Sequence, residues 1–442
     1  MLKKTQVFKL VLGHSACFDW SILMHCSMKR AGSVDDTVDD TVDEKLRSGK
    51  KEVMSREFQT LILRSKAFQA TAFGVLLVLS SQGGQNLAYA KEAHSSYISD
   101  VARTLRNWGV YSPRSSSVSS QRSDVDALDA WSIQEGSRDI IVAVIDTGID
   151  PTHKDLAKSL WHDPSRPNSE SFGMNFVNPG KNPIDVHGHG THVAGIIGGE
   201  LDPELGTSGV AHHVSIMPLK YYSDGSSGVV NLNHTIEAIN FAVDHGARVI
   251  NYSGGGPEFS EREYQAIKRA EAKGIVFVAA AGNESQNIDE ARNYYFPASY
   301  SNSDVNIYHQ TSLSRPSNMI VVAATNSKND LIAASNWGKS VDVAAPGENI
   351  LSDLPNGRAG YMTGTSQATA FVSGAAALIL SENPRLSPQE VRAILIQSSE
   401  PVSQLKGKVA AGGHLNVYEA VKLARTWMSP RGNILAQAQV TK

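Results

Sequence analysis

The chain has 442 residues, 41% of them hydrophobic and 19% charged, with a formal net charge of −3. That is enough for one large core or two ordinary ones, and it describes a globular protein. No long Lys/Arg run and no basic stretch interleaved with aromatics is present, which argues against nucleic acid as a partner.

Residues 1–53 hold a charged VDDTVDDTVDEK run, no convincing periodicity and both cysteines, Cys17 and Cys26. They are expected to be an upstream extension, with translation starting at Met54. Residues 54–90 read as a signal peptide. Arg56, Arg64 and Lys66 precede or flank an apolar run centred on Val75–Leu79, and a small-x-small end follows at Ala88-Tyr89-Ala90. A membrane anchor is the alternative, but Ser80-Ser81-Gln82-Gly83-Gly84 interrupts the run too soon for it to span a bilayer. The protein is therefore expected to be secreted or periplasmic, without stable membrane insertion after signal removal. Its mature part has no cysteine, so it must rely on its core or on bound ions.

Residues 91–126 form a polar segment with a Ser-rich linker, SPRSSSVSSQRSD, at Ser112–Asp124. Regular alternation then begins. Strands are expected at Ile140–Asp146, Val214–Tyr221, Arg248–Ser253, Gly274–Ala281, Met319–Ala324 and Val341–Ala345, where β-branched residues cluster. Helical patterns occupy Leu232–His245, Glu261–Lys273, Thr363–Leu380, Pro388–Gln397 and Leu415–Trp427. Continuous apolar strands separated by helices imply an α/β fold, with a mostly parallel central sheet covered on both faces. In such sheets the cleft lies beyond the carboxyl ends of the strands.

Four of those strand and helix ends carry polar residues. The first strand ends at Asp146, a carboxylate that is costly to bury without a partner. DVHGHGTHVAGIIGG, Asp185–Gly199, brings His187, His189 and His192 to the start of a small-residue helix. A zinc hydrolase is the rival chemistry for three close histidines, but the run lacks His-Glu-x-x-His and no thiol lies downstream. FVAAAGNES places Asn283 after a strand, where it reads either as a turn residue or as an oxyanion donor. TGTSQATAFVSGAAALIL opens a helix with Ser366, which reads either as a cap or as a nucleophile.

VAVIDTGID, HGTHVAG, AAAGN and GTSQAT follow in the order Asp, His, Asn, Ser, and in this the chain resembles the subtilisin-like serine proteases over Ala127–Val421. The resemblance implies a peptidase domain at 127–430, followed by a tail at 431–442. It implies Ser366 as nucleophile, His189 as general base and then acid, Asp146 as orienting carboxylate, and Asn283 as oxyanion donor. No cofactor is then required for the chemistry. Protein or peptide substrates would be clasped as an added strand by Ser226-Ser227-Gly228 and Ser253-Gly254-Gly255, with a side-chain pocket near Gly254 and Ala280-Ala281. An exported endopeptidase of broad specificity is the implied function, and a catalytically inactive peptide-binding module is the alternative.

The sequence also departs from the family pattern. Gln367 follows the serine where many relatives have Met, and Ala370-Phe371 replaces a common Pro-His. Tyr300–Ser317 reads as an insertion, and residues 91–126 are too few for the folding-assistant prodomain of many secreted relatives. Asp155 matches a family calcium ligand; the ELDPELGTS loop lacks the usual Asn-rich form, but Glu200, Asp202 and Glu204 could complete a structural calcium site. Sequons at Asn233, Asn251 and Asn283 read as chance matches.

Overall fold

The computed structural model describes residues 100–428, apart from 114–121, 166–171, 303–305, 308–310 and 313. The expected extension, signal peptide, C-terminal tail and most of the Ser-rich linker lie outside the described residues. The described chain belongs to one compact unit, Ala93–Lys442.

In chain order the elements are α1 (Ala127–Ala130), β1 (Ile141–Asp146), β2 (Met174–Asn175), α2 (His189–Gly198), β3 (Ser215–Lys220), α3 (Gly228–Asp244), β4 (Val249–Tyr252), α4 (Glu261–Ala272) and β5 (Val276–Ala280). There follow β6 (Asn306–Ile307), β7 (Thr311–Ser312), β8 (Met319–Thr325), β9 (Val343–Pro346), β10 (Ile350–Leu354), β11 (Arg358–Met362), α5 (Thr365–Glu382) and α6 (Pro388–Gln397). The short strands β12 (Glu400–Pro401) and β13 (Gly413–His414) precede α7 (Val417–Thr426).

One nine-stranded sheet runs β12-β13-β9-β8-β5-β4-β1-β3-β2. Every described pairing in it is parallel except β12 with β13. Parallel strands are joined by crossovers that lay helices over the sheet, so their side chains are buried on both faces. This explains why the strands read as unbroken apolar runs. Along β1, Val142 and Val144 enter one apolar cluster with residues of α2, α5, α6 and α7. Ala143 and Ile145 point the other way, into a cluster with residues of α3 and α4.

All six expected strands and all five expected helices form, with ends shifted by a few residues. The β10–β11 hairpin was not anticipated. Its second strand is half exposed, so RAGYM carries neither an apolar run nor a clean alternation. The Tyr300–Ser317 segment contains the two-residue pairing of β6 with β7. Upstream of α1, Val101, Leu105, Val110 and Val125 are buried in the main core, so part of residues 91–126 packs with the domain that follows.

The first turns of α2 and α5 meet the sheet at the carboxyl end of its central strands. Gly190 lets α2 do so, because a Cβ there would lie 2.2 Å from the Gly148 carbonyl oxygen. Gly374 in α5 serves the packing of α5 on α2, since a Cβ there would meet Val210 at 2.7 Å and the Ile197 carbonyl at 3.2 Å.

Candidate active site

Asp146 is the last residue of β1 and is 3% exposed. Its Oδ1 accepts from the Thr147 amide at 2.8 Å and lies 2.7 Å from Nδ1 of His189, the first residue of α2. The partner that burial demanded of Asp146 is therefore His189. Burial alone would lower the His189 pKa. The charge and hydrogen bond of Asp146, helped by the charge of Asp185, outweigh burial and hold it above the ordinary value.

The loop carrying His189 is built around Asp185. Its Oδ1 accepts from the amides of His187 and Gly188, both at 2.9 Å, and from Thr147 Oγ1 at 2.9 Å. Its Oδ2 accepts from the Thr191 amide at 2.9 Å and the Thr191 hydroxyl at 2.7 Å. These bonds keep the Asp185 carboxyl below its usual range in spite of burial. Thr147 Oγ1 also accepts from the Gly190 amide at 2.9 Å, which ties the end of β1 to the first turn of α2. Thr147 and Asp185 thus position the Asp146–His189 pair.

Ser366 is the second residue of α5, and its side chain does not cap that helix. Gly364 occupies the cap position with no side-chain bond of its own. Asn283 caps from outside: its Oδ1 accepts from the Thr365 amide at 2.9 Å and the Thr365 hydroxyl at 3.2 Å. Ser366 Oγ donates to the Ser253 carbonyl at 3.2 Å, and Ser253 Oγ donates back to the Ser366 carbonyl at 3.4 Å. Asn283 itself is exposed. A cavity of about 190 Å³ is lined by Asp146, Thr147, His187, His189, Tyr221, Tyr222 and Ser253.

The family model of the subtilase family matches residues 137–418. The chain belongs to the subtilase family. A thermophilic serine proteinase of Bacillus sp. (strain AK1) is 35% identical over 292 residues, which are 66% of this chain and 64% of that protein. The chain therefore spans just under two thirds of that relative's length. The major intracellular serine protease of Bacillus subtilis (strain 168) is 35% identical over 309 residues, 68% of this chain and 88% of that protein. Thermitase of Thermoactinomyces vulgaris is 34% identical over 298 residues, 67% of this chain and 94% of that protein.

In this subtilase the three clustered histidines do not converge on one point. His192 is fully buried, and its Nε2 lies 3.0 Å from the Ile350 carbonyl and 3.2 Å from that of Gly360, so it braces the β10–β11 hairpin. Burial pushes its pKa down to about 4, which keeps it neutral. His187 meets His189 ring to ring, with centroids 6.3 Å apart.

Of the expected substrate edges, Ser253 lies at the cavity, and Gly254 and Gly255 follow it past the end of β4. A Cβ on Gly254 would fall 2.4 Å from the Tyr221 hydroxyl, and one on Gly255 2.4 Å from the Tyr295 ring. Only glycine fits there. Ser227 caps α3 by accepting from the Val230 amide, Gly228 opens that helix, and Ser226 sits in the turn before it, its amide 3.2 Å from the Ser223 carbonyl. Ala280 and Ala281 are 2% and 0% exposed.

Three of the acids expected around a calcium ion with Asp155 contact lysines. Lys154 contacts Asp202 at 2.6 Å and Glu204 at 3.1 Å, and Lys158 contacts Glu200 at 2.7 Å. Asp155 turns inward, accepting from Thr207 Oγ1 at 3.2 Å beside the buried His153 and Asp353.

Sequence reasoning missed Thr147, Asp185, Tyr221 and Tyr222. Thr147 and Asp185 stand next to the motifs that were read, and the signal available for each was a short polar side chain at a strand end or just before a helix. Nothing in the Tyr221-Tyr222 pair distinguishes it from core aromatics.

Proposed function

We propose that the chain is an exported serine endopeptidase in which Ser366, His189, Asp146 and Asn283 carry the chemistry. The observation that supports this most directly is the 2.7 Å contact of His189 Nδ1 with a buried carboxylate at the end of a parallel strand, with Ser366 bonded to Ser253, a residue that lines the same cavity as His189. A serine hydroxyl becomes an effective nucleophile only when a positioned base takes its proton. With Nδ1 held by Asp146, Nε2 is the free acceptor. At rest the Ser366 hydrogen goes to the Ser253 carbonyl, and turning it to Nε2 begins the reaction.

Ser366 Oγ then adds to the scissile carbonyl carbon while its proton passes to His189 and the carbonyl electron pair moves onto oxygen. The oxyanion is received by the Ser366 amide, at the positive end of the 18-residue α5, and by the Asn283 amide. Collapse breaks the C–N bond, the departing amine takes the proton from His189, and an acyl-Ser366 remains. Water repeats the sequence with His189 as base and releases the acid. All these groups belong to the protein, so no cofactor enters the cycle.

Ser253 at the cavity is followed by Gly254 and Gly255 past the end of β4, an edge that suits a peptide added in strand conformation and read through its main chain. Broad specificity for protein and peptide substrates follows. Export rests on the Met54–Ala90 segment alone. Family membership does not decide it, since one relative is named an intracellular protease and another a cell wall-associated one.

Phenylmethylsulfonyl fluoride tests the chemistry. Its sulfur is attacked by an activated serine with loss of fluoride, so peptide mapping should find one sulfonyl adduct, on Ser366, together with loss of peptidase activity. A folded, unlabelled protein would favour the peptide-binding alternative. N-terminal sequencing of exported protein tests the signal, with Lys91 expected as the first residue.

A further inference from the structure

Asn251 is the polar exception in β4, whose sequence is VINY, and it is 0% exposed. A side-chain amide buried in the middle of a sheet is costly unless both its oxygen and its nitrogen are bonded. Side chains alternate along a strand, so Asn251 shares the α5 side of the sheet with Val249, while Ile250 and Tyr252 enter the opposite cluster. On α5, Ser366 and Ser373 stand at positions i and i+7 and therefore on one helix face. Ser373 is 0% exposed as well.

These residues are joined by hydrogen bonds that all run one way. Ser373 Oγ donates to Asn251 Oδ1 at 2.8 Å, Asn251 Nδ2 donates to Ser253 Oγ at 3.0 Å, and Ser253 Oγ donates to the Ser366 carbonyl at 3.4 Å. A hydroxyl has one proton to give, so each bond fixes the direction of the next. Ser366 Oγ returns a bond to the Ser253 carbonyl at 3.2 Å, which makes the last link reciprocal. We propose that Asn251 and Ser373 are positioning residues for the peptidase reaction, acting through Ser253 to set Ser366 against the strand edge on which the substrate lies. The inference rests on Ser366 being the nucleophile. Attack needs the reacting atoms held about 3–3.5 Å apart. A peptide laid along Ser253-Gly254-Gly255 carries its scissile carbonyl with that edge, and glycines leave the edge conformationally free. The buried bonds from α5 and β4 fix its first residue. Neither Asn251 nor Ser373 lines the cavity, so their effect belongs to kcat and not to KM.

The test is a double-mutant cycle on the full chain, Asn251→Ala, Ser253→Ala and both together, assayed on a peptide substrate well below each variant's Tm. Asn251→Ala should lower kcat about tenfold, the worth of one hydrogen bond, with KM changed by no more than about twofold. Ser253→Ala should lose a similar amount. The double variant should lose no more than about twofold beyond Ser253→Ala, because the amide acts through that hydroxyl. The acid limb of the pH profile should stay in place in all three, since Asp146 and His189 are untouched. Should Asn251→Ala not fold, Ser373→Ala, which removes only the first donor, takes its place in the cycle with a kcat loss of about threefold. Near-parent kcat in folded Asn251→Ala, losses that multiply in the double variant, or a shifted acid limb would overturn the proposal. Phenylmethylsulfonyl fluoride on the parent separates this from the assignment beneath it: an adduct on Ser366 keeps the nucleophile even if the cycle is additive, and an unlabelled parent overturns both.

Discussion

Glu263 offers a test of how this fold sets the charge state of a buried group. It lies in the first turn of α4, 2% exposed, with Ser260 capping that helix. The Ser-x-x-Glu spacing suits a reciprocal capping box. Tyr300 takes the place of the Glu side chain: its hydroxyl donates to the Ser260 carbonyl at 2.8 Å, accepts from the Ser260 amide at 3.2 Å, and lies 3.1 Å from Glu263 Oε2. The carboxyl turns inward, and burial, only partly opposed by the Tyr300 hydrogen bond, pushes its pKa from 4.5 up to about 7. Below about pH 4.5 the proton is on the group in both folded and unfolded chains, and it costs nothing. As the pH rises the unfolded chain loses the proton first, so stability falls until the folded-state pKa is reached. Above it the penalty is constant, about 3 kcal/mol. Glu263→Gln keeps the shape and cannot ionise. In a Ser366→Ala background it should raise stability by about 1 kcal/mol at pH 5 and about 3 kcal/mol at pH 8, or a Tm gain near 6 °C or more at the higher pH. Calorimetry at the two pH values decides it. An effect of equal size at pH 5 and pH 8 would refute burial of an ionisable group as the cause.

Asn283→Ala should lower kcat by about 10²–10³, the loss that removing this donor causes in the family, and near-normal turnover would remove Asn283 from the oxyanion site. Activity should fall with pH through a His189 pKa above 6.5, because the protonated imidazole cannot take the serine proton. Asp146→Asn removes the largest raising influence, so its residual activity should show an acid limb at lower pH with kcat down about 10⁴, the loss seen for the equivalent change in another serine-protease fold; an unmoved limb would assign the titration elsewhere. Mild peroxide should leave most activity of the parent intact, while Gln367→Met should make it peroxide-sensitive, because a sulfoxide would place a polar oxygen in the buried slot that Gln367 fills beside Gly364. Rapid inactivation of the parent with Met362 unmodified by mass spectrometry would contradict that reading of the slot.

Much of the sheet was legible because its physics is local. Strands such as VAVID and VFVAA are buried on both faces, so nearly every residue in them is apolar. The strand-end positions of Asp146 and Asn283, and the helix-end positions of His189 and Ser366, were legible for the complementary reason that polar residues interrupt apolar runs there. What stayed hidden depends on long-range pairing. Asp353 reads as an ordinary residue of a half-polar hairpin, and only the fold sets it opposite His153, 200 residues earlier in the chain. The loop acids Glu200, Asp202 and Glu204 looked available for a cation because the lysines that hold them, Lys154 and Lys158, come from another segment. Val101, Leu105 and Val110 sit among polar neighbours, and their place in the core follows from the surface they cover.

The ambiguity of Ser366 resolves through Asn283. A serine at a helix start would ordinarily spend its hydroxyl on the free amides of the first turn, and a hydroxyl so engaged is poorly placed to attack anything. Here the Thr365 amide is satisfied from outside, by Asn283 Oδ1 at 2.9 Å, and the cap position is glycine, with nothing to offer. The Ser366 hydroxyl is thereby not spent on the helix, and its described partner is the Ser253 carbonyl at 3.2 Å. One hydrogen bond between the segment after β5 and the start of α5 therefore leaves the Ser366 hydroxyl free for the role proposed for it. The tie from Thr147 Oγ1 to the Gly190 amide does the corresponding work for the proposed base, joining the end of β1 to the start of α2 beside the Asp146–His189 contact. The geometry on which the proposed mechanism rests is in this sense a property of two strand-end to helix-start junctions, each closed by one short polar side chain.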